Sequence, residues 1–118
     1  MPKNVLIVLR QPPFGRNIAH EAFRIAIGLR GGEVNTSILL VEDGIFCLLK
    51  HQEGSVYKMM SLVRYLSEMD EFEIKLYIHR PSLESRNLRE GNLIEIGKFI
   101  DDDELKEVLN SHDSIMLF

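Results

Sequence analysis

The chain has 118 residues, of which 45% are hydrophobic and 27% are charged, an ordinary composition for a folded domain and not for a disordered chain. The net charge is −4, and the acidic excess lies in the second half: residues 1–50 have six Lys or Arg against four Asp or Glu, and the remainder has eight against fourteen. This distribution argues against a broad nucleic-acid surface, which needs clustered positive charge. Apolar runs such as Ile38–Val41 are too short to span a membrane, and Lys3 precedes a strand-length run instead of a signal-peptide core. We expect one cytoplasmic domain over residues 1–118 that binds neither membrane nor nucleic acid.

The first half of the chain predicts two buried strands, one helix and one helical turn. These are the strand Val5–Leu9, a helix capped by Asn17 and ended by Gly31-Gly32, the strand Thr36–Val41, and the turn Ile45–Leu49. Runs that are apolar on both faces are typical of central parallel strands covered on each side. Ile18, Ala22, Ile25, Ala26 and Leu29 recur at helical spacing between the first two strands.

The second half continues the alternation. We predict a helix capped by Ser55 with an inner stripe of Val56, Met59, Met60, Val63 and Leu66, a strand at Phe72–Ile78, a short helix at Pro81–Arg86, a brief strand at Leu93–Ile96, a helix from Asp101 to Asn110 and a strand at Ile115–Phe118. Strands that alternate with helices predict right-handed crossovers and a mainly parallel five-stranded sheet with helices on both faces.

Ligand sites in such sheets lie beyond the carboxyl ends of the strands. That rule selects four loops for inspection: Gln11–Asn17, Glu42–Cys47, His79–Arg86 and the turn after Ile96. The first loop has one glycine, Gly15, and therefore lacks the glycine pattern of a phosphate-binding loop.

His79 ends the third predicted strand, where an acid, a base or a ligand contact would be placed, and Ser82 follows it. The spacing suggests a Ser–His pair, but no third, orienting acid stands out, and Ser82 is also an ordinary residue for a helix start. The run Asp101–Asp103 indicates a helix cap and a solvated cluster, because three consecutive side chains cannot converge on one cation. We expect no metal and no cofactor.

Cys47 is the only cysteine, so an internal disulfide is excluded. Its place in the apolar run Phe46–Leu49 favours a buried, inert thiol, because free cysteine is among the most buried residue types. The alternative is a reactive thiolate assisted by the nearby Lys50 and His51, which makes Cys47 a weak catalytic candidate.

Four segments of the chain form one further pattern. They are the Pro-aromatic-Gly loop Pro12–Gly15, the Asp-Gly-Ile-Phe segment within Val41–Phe46, the Ser-Leu-x-x-Arg block within Pro81–Leu88, and the ending Asp113–Phe118. Together, in this order, they resemble the DsrE/DsrF-like sulfur-relay family, in particular its TusC/DsrF-type members. The resemblance covers nearly the whole chain. Asn87 stands where the family has glycine, and asparagine tolerates the left-handed conformation needed there.

The resemblance implies a three-layer α/β/α sandwich and assembly into trimers or hexamers, with homologous DsrE/TusD-type subunits or with copies of itself. It also implies a cytoplasmic role in passing persulfide sulfur. The acceptor cysteine of the family aligns with His79 and Ser82 here, and neither residue can carry a persulfide. The implied role is therefore a non-catalytic subunit that supports a cysteine-bearing partner in tRNA thiolation or sulfur oxidation.

Two alternatives stay open from the sequence. One is a stand-alone sulfur carrier that uses Cys47. The other is a homo-oligomeric ligand-binding module with a pocket around Asp43, His79 and Arg86. The wider set of expected pocket or partner-binding residues is Phe14, Asp43, Gly44, His79, Ser82 and Arg86. Large apolar residues beyond what a small sheet can cover predict association; they are Phe14, Phe46, Tyr57, Met59, Met60 and Tyr65.

Overall fold

A computed structural model describes residues 4–13, 17–49 and 65–118. Its strands are β1 (Asn4–Leu9), β2 (Asn35–Leu40), β3 (Lys75–His79), β4 (Lys98–Ile100) and β5 (Ser114–Leu117). Its helices are α1 (Ile18–Gly31), α2 (helical at residues 65–71), α3 (Arg80–Ser85) and α4 (Asp102–Asn110), with 3₁₀ helices at Glu42–Leu48 and Glu90–Asn92. None of the described helices is long and apolar enough to cross a membrane.

The five strands form one sheet in the order β4-β3-β2-β1-β5, and every neighbouring pair is parallel. The predicted parallel α/β fold is therefore confirmed. β1 and β2 lie at the centre, where their apolar runs are buried from the second residue onward.

Helices cover both faces of the sheet. On one face, Ala22, Phe23 and Ala26 of α1 pack with Met69 of α2 in the larger apolar core. On the other face, Val108 of α4 packs over residues of four strands. Those strand residues are Leu6, Val8, Leu39, Tyr77 and Ile100. The arrangement is the expected three-layer sandwich, and among the described residues α4 is the one helix on its second face.

Most predicted elements lie where expected. The helical turn proposed near Ile45 is the 3₁₀ helix Glu42–Leu48. Asp101 caps α4 through a capping box: its carboxylate accepts from the Glu104 N–H at 2.9 Å, and the Glu104 carboxylate accepts from the Asp101 N–H at 3.3 Å. Asn87 has φ of 57°, the left-handed conformation expected after α3. Asn17 precedes α1 but makes no side-chain cap hydrogen bond.

Two strand predictions need correction. The third strand begins at Lys75 and not at Phe72, because Phe72 and Glu73 form a turn in which Glu73 has φ of 58°. The prediction of a strand at Leu93–Ile96 is wrong: β4 is Lys98–Ile100.

The apolar residues before β4 serve a different purpose. Leu93 forms an isolated bridge to Leu49, and the Ile94 N–H donates to the Leu48 carbonyl at 2.8 Å, so this segment anchors a loop to the 3₁₀ helix. The turn after Ile96 consequently lies at the amino end of β4 and not beside the other selected loops. A three-residue edge strand is too short to show the alternation that identifies strands.

Gly44 allows the 3₁₀ helix to approach the end of β1. A Cβ atom at this position would lie 2.1 Å from the Leu9 carbonyl oxygen, a distance that real Cβ atoms do not reach. Glycine is therefore required here for close backbone contact rather than for an unusual φ.

We predict that Gly44→Ala lowers the free energy of unfolding by about 1–3 kcal/mol or more, because the methyl group must displace the backbone of β1. The matched control is Gly28→Ala in α1, where no atom lies within 4 Å of the added Cβ. That change should raise stability by about 0.5–1 kcal/mol through helix propensity. Urea unfolding of both variants measures the difference, and equal effects would contradict the proposed close approach.

Candidate functional site

Four of the predicted site residues meet beyond the carboxyl ends of β2 and β3. Asp43 lies in the 3₁₀ helix that follows β2, and His79 is the last residue of β3. Ser82 lies in α3 and Arg86 directly follows it. Because β2 and β3 are paired and parallel, their following segments emerge at the same edge.

The His79 ring links two neighbouring elements by short hydrogen bonds. Nδ1 lies 2.7 Å from the Ser82 Oγ, and Nε2 lies 2.7 Å from the Asp102 Oδ1. An ionised carboxylate only accepts hydrogen bonds, so Nε2 must carry a proton. In the neutral ring Nδ1 is then the acceptor, and the Ser82 hydroxyl donates to it.

The Ser82 hydroxyl also accepts a hydrogen bond from the Glu42 N–H at 2.9 Å. Ser82 is only 7% exposed, so both of these contacts are shielded from water. Glu42 has φ of 52°, in the left-handed region that costs a residue with a side chain about 1–2 kcal/mol. The serine therefore stabilises an unfavourable backbone conformation at the start of the 3₁₀ helix.

Arg86 makes a second connection between the same two elements. Its Nε donates to the Asp43 Oδ1 at 3.1 Å, and its Nη1 donates to the Ser82 carbonyl at 3.1 Å. The Asp43 side chain is 53% exposed and that of Arg86 is 25% exposed, so the ion pair itself contributes little stability. Its effect is to orient both side chains at the carboxyl edge.

Asp102 is the site residue that sequence reasoning missed. The sheet places β4 beside β3, so the first turn of α4 lies next to the end of β3. With the fourth strand predicted at Leu93–Ile96, nothing in the predicted arrangement places Asp102 near His79. The capping box at Asp101 is a signal that could have located it, since a capped helix start follows a strand closely in this fold.

Cys47 lies beneath this edge. It is 2% exposed, and its Sγ is 3.9 Å from the Gln11 carbonyl oxygen. Burial raises the pKa of the thiol to about 12. The thiol therefore stays protonated at neutral pH, the opposite of the low-pKa state found in reactive cysteines.

Other residues predicted for the site or for association lie away from this cluster or outside the residues that the structure describes. Gly44 is buried against β1, whereas Phe14, Lys50 and His51 lie outside the described residues. Tyr65, expected to be available for association, stacks on Phe23 in the core. Within the described residues no cluster of three His, Cys, Asp or Glu side chains has the arrangement of a metal site. A cleft of about 520 Å³ lies at the opposite end of β3 and includes none of the predicted site residues.

Chemically, the Ser82–His79–Asp102 chain contains the groups of a hydrolytic triad but in an unsuitable arrangement. The serine is buried and already accepts a backbone hydrogen bond, whereas the Asp102 side chain is 73% exposed. A nucleophilic serine needs an accessible oxygen beside an oriented base. The arrangement instead connects the 3₁₀ helix, β3, α3 and α4 at one edge.

Fold and edge together define a class: a small α/β/α protein with a parallel sheet, whose polar cluster lies at the carboxyl ends of the strands. Comparison with known proteins gives the family. A profile of the DsrE/DsrF-like family matches residues 3–118, and the chain belongs to that family.

Within it, this chain is a TusC/DsrF-type member. It is 28% identical over 117 residues to a protein TusC homolog of Pseudomonas aeruginosa, covering 98% of both chains. It is 23% identical over 131 residues to the intracellular sulfur oxidation protein DsrF of Allochromatium vinosum, covering 98% of this chain and 96% of DsrF. The crystal structure of the ychN protein from E. coli shares the fold, with a TM-score of 0.77, 21% identity and full coverage of both chains.

We predict that Ser82→Ala lowers the free energy of unfolding by about 1–3 kcal/mol, because it leaves the Glu42 N–H and the His79 Nδ1 without their partner. Ser85→Ala is the matched control: Ser85 is an exposed serine of the same helix, and its removal should change stability by about 0.5 kcal/mol or less. Chemical unfolding of both variants gives the comparison. Equal free energies of unfolding for the two variants would show that the hydrogen bonds of the Ser82 hydroxyl do not stabilise the fold as described.

Proposed function

We propose that this chain is a non-catalytic subunit of a cytoplasmic sulfur-relay assembly, and that it supports a cysteine-bearing partner of the DsrE/TusD type. Its membership in the DsrE/DsrF-like family and its similarity to proteins named TusC homolog and DsrF support this role. The pathway served is tRNA thiolation or sulfur oxidation, and the assembly is a trimer or hexamer.

One observation carries the proposal. Where the family presents its acceptor cysteine, this chain has His79 and Ser82, which are hydrogen-bonded to each other. Neither side chain has a sulfur atom. The one thiol of the chain, Cys47, is buried and has a raised pKa, so it is unsuited to attack a persulfide.

The same edge offers a surface for a partner. Asp43 and Asp102 expose their carboxylates beside His79, while Ser82 and Arg86 fix the backbone beneath them. A surface whose shape is already fixed loses little conformational entropy on binding. A partner loop with a cysteine and a positive charge would be complementary to it.

The ligand-binding alternative is less well supported by these contacts. Arg86 already pairs with one oxygen of Asp43, and both nitrogens of His79 are engaged within the protein. A small ligand would have to replace these bonds before it gained its own.

We predict that incubation with a persulfide donor leaves the native chain without a sulfur adduct, because Cys47 is inaccessible. His79→Cys, which installs a thiol at the partly exposed position that also aligns with the family cysteine, should gain about 32 Da per added sulfur. Intact-mass spectrometry under non-reducing conditions measures both proteins, and circular dichroism checks that the variant is folded.

When a cysteine-bearing DsrE/TusD-type protein is included in the incubation with the persulfide donor, we expect the added sulfur on that protein and not on the native chain. Asp43→Arg should weaken this complex, and Lys75→Glu, at the opposite edge of the sheet, should not. A persulfide on the native chain that disappears in Cys47→Ala would instead establish a stand-alone sulfur carrier.

A further inference from the structure

The edge strand β5 exposes three consecutive large apolar residues. Ile115 is 45% exposed, Met116 is 37% exposed and Leu117 is 64% exposed, and they are the large apolar side chains most exposed to solvent in the described part of the chain. By register with β1, Ile115 and Leu117 lie on the face covered by α4, and Met116 lies on the opposite face. Helix α4 buries Leu6 and Val8 of β1 but leaves their β5 neighbours exposed.

The face of the sheet on which α4 packs is not apolar everywhere that α4 leaves it uncovered. At the amino edge, the uncovered strand residues are polar, and Asn35, Ser37 and Lys75 line a cleft of about 380 Å³. In the described part of the sheet, polar residues line this cleft, and the exposed large apolar side chains lie at β5. Exposed apolar patches of this kind mark protein interfaces.

The backbone of β5 is also open. Within the described residues it is the last strand of the sheet, and its sequence Ser-Ile-Met-Leu contains no charge or proline that would discourage pairing. The Phe118 N–H donates to the Val8 carbonyl, and the Arg10 N–H donates to the Phe118 carbonyl, so Phe118 faces β1. By alternation Met116 also faces β1, and the N–H and C=O groups of Ile115 and Leu117 point to the open edge.

We propose that β5 pairs in antiparallel fashion with β5 of a second copy of this chain, across a two-fold axis at Met116. In this register Ile115 opposes Leu117 of the second copy and Leu117 opposes its Ile115. All four outward backbone groups of each strand are then hydrogen-bonded, and the most exposed apolar residues form cross-strand pairs. A register shift of one residue would place opposing side chains on different faces.

Charge complementarity also favours a second copy. Antiparallel pairing brings the amino end of one β5 beside the carboxyl end of the other sheet. The first carries the exposed Asp113, whose Oδ2 accepts from the Asn4 N–H at 3.0 Å, and the second carries the exposed Arg10. The two residues lie at the same level and two strand spacings apart, about 10 Å between Cα atoms, which an arginine side chain spans. The acidic first turn of α4 follows β4 at the far side of the sheet, so it does not oppose its symmetry mate.

A disulfide trapping experiment tests the register. In the proposed dimer the Cα atoms of the two Met116 residues are about 4.5 Å apart, within the range a disulfide needs. Met116→Cys should therefore form a covalent dimer under mild oxidation with copper phenanthroline. Ser114→Cys is the matched control: its two copies would be about 14 Å apart, so it should remain monomeric on a non-reducing gel. The native chain, with Cys47 buried, should also remain monomeric on that gel.

Light scattering of the full chain provides the second measurement. Leu117→Lys should shift the protein to lower mass while it stays folded, since Leu117 is an exposed side chain. Arg10→Glu should raise the dissociation constant several-fold. Equal cross-linking of both cysteine variants, no cross-linking of either, or an unchanged mass in Leu117→Lys would overturn the proposal. This interface is independent of the sulfur-relay role, so either can fail without the other.

Discussion

The carboxyl edge of this sheet depends on the hydroxyl of Ser82. The Ser82 hydroxyl accepts a hydrogen bond from the N–H of Glu42, a residue with left-handed φ, and donates one to the His79 Nδ1. The His79 Nε2 then donates to the Asp102 carboxylate. Ser82 and His79 thereby join β3 to the three helices that follow β2, β3 and β4. Because the serine is buried, the two hydrogen bonds of its hydroxyl are shielded from water and hold the local backbone, whereas the His79–Asp102 bond lies at the exposed surface.

On the alignment proposed above, this constraint gives a structural role in this chain to a position that carries a cysteine in other family members. A cysteine there must be reachable to carry sulfur, whereas Ser82 is enclosed and its hydrogen-bonding capacity is used by the protein. At this edge the backbone is held by the bonds of Ser82 and Arg86, and the carboxylates of Asp43 and Asp102 are exposed. This arrangement is suited to recognition of another chain. β5, on the other side of β1 from β2, presents a separate exposed apolar surface, and the two proposed associations therefore use different parts of the molecule.

Much of the fold could be predicted because buried parallel strands give continuous apolar runs, as in Val5–Leu9, and because the Asp101–Glu104 capping box marks its helix without ambiguity. β4 could not be located, since a three-residue strand leaves no periodic signal and Leu93–Ile96 is apolar for another reason. The same error hid Asp102. The spacing of His79 and Ser82 suggests their pairing but equally fits an ordinary helix start, and only the structure shows the contact. The apolar residues of β5 resemble any terminal strand in the sequence, because strand order is not visible there.

The account depends most directly on the direction of the hydrogen bonds at His79. Two-bond ¹H–¹⁵N correlation spectra, recorded where the ring is neutral, identify which nitrogen carries the proton. The structure requires the proton on Nε2, donated to Asp102, with Nδ1 accepting from Ser82. A spectrum showing the proton on Nδ1 would mean that the Ser82–His79–Asp102 chain does not exist as described, and that the carboxyl edge is organised in another way.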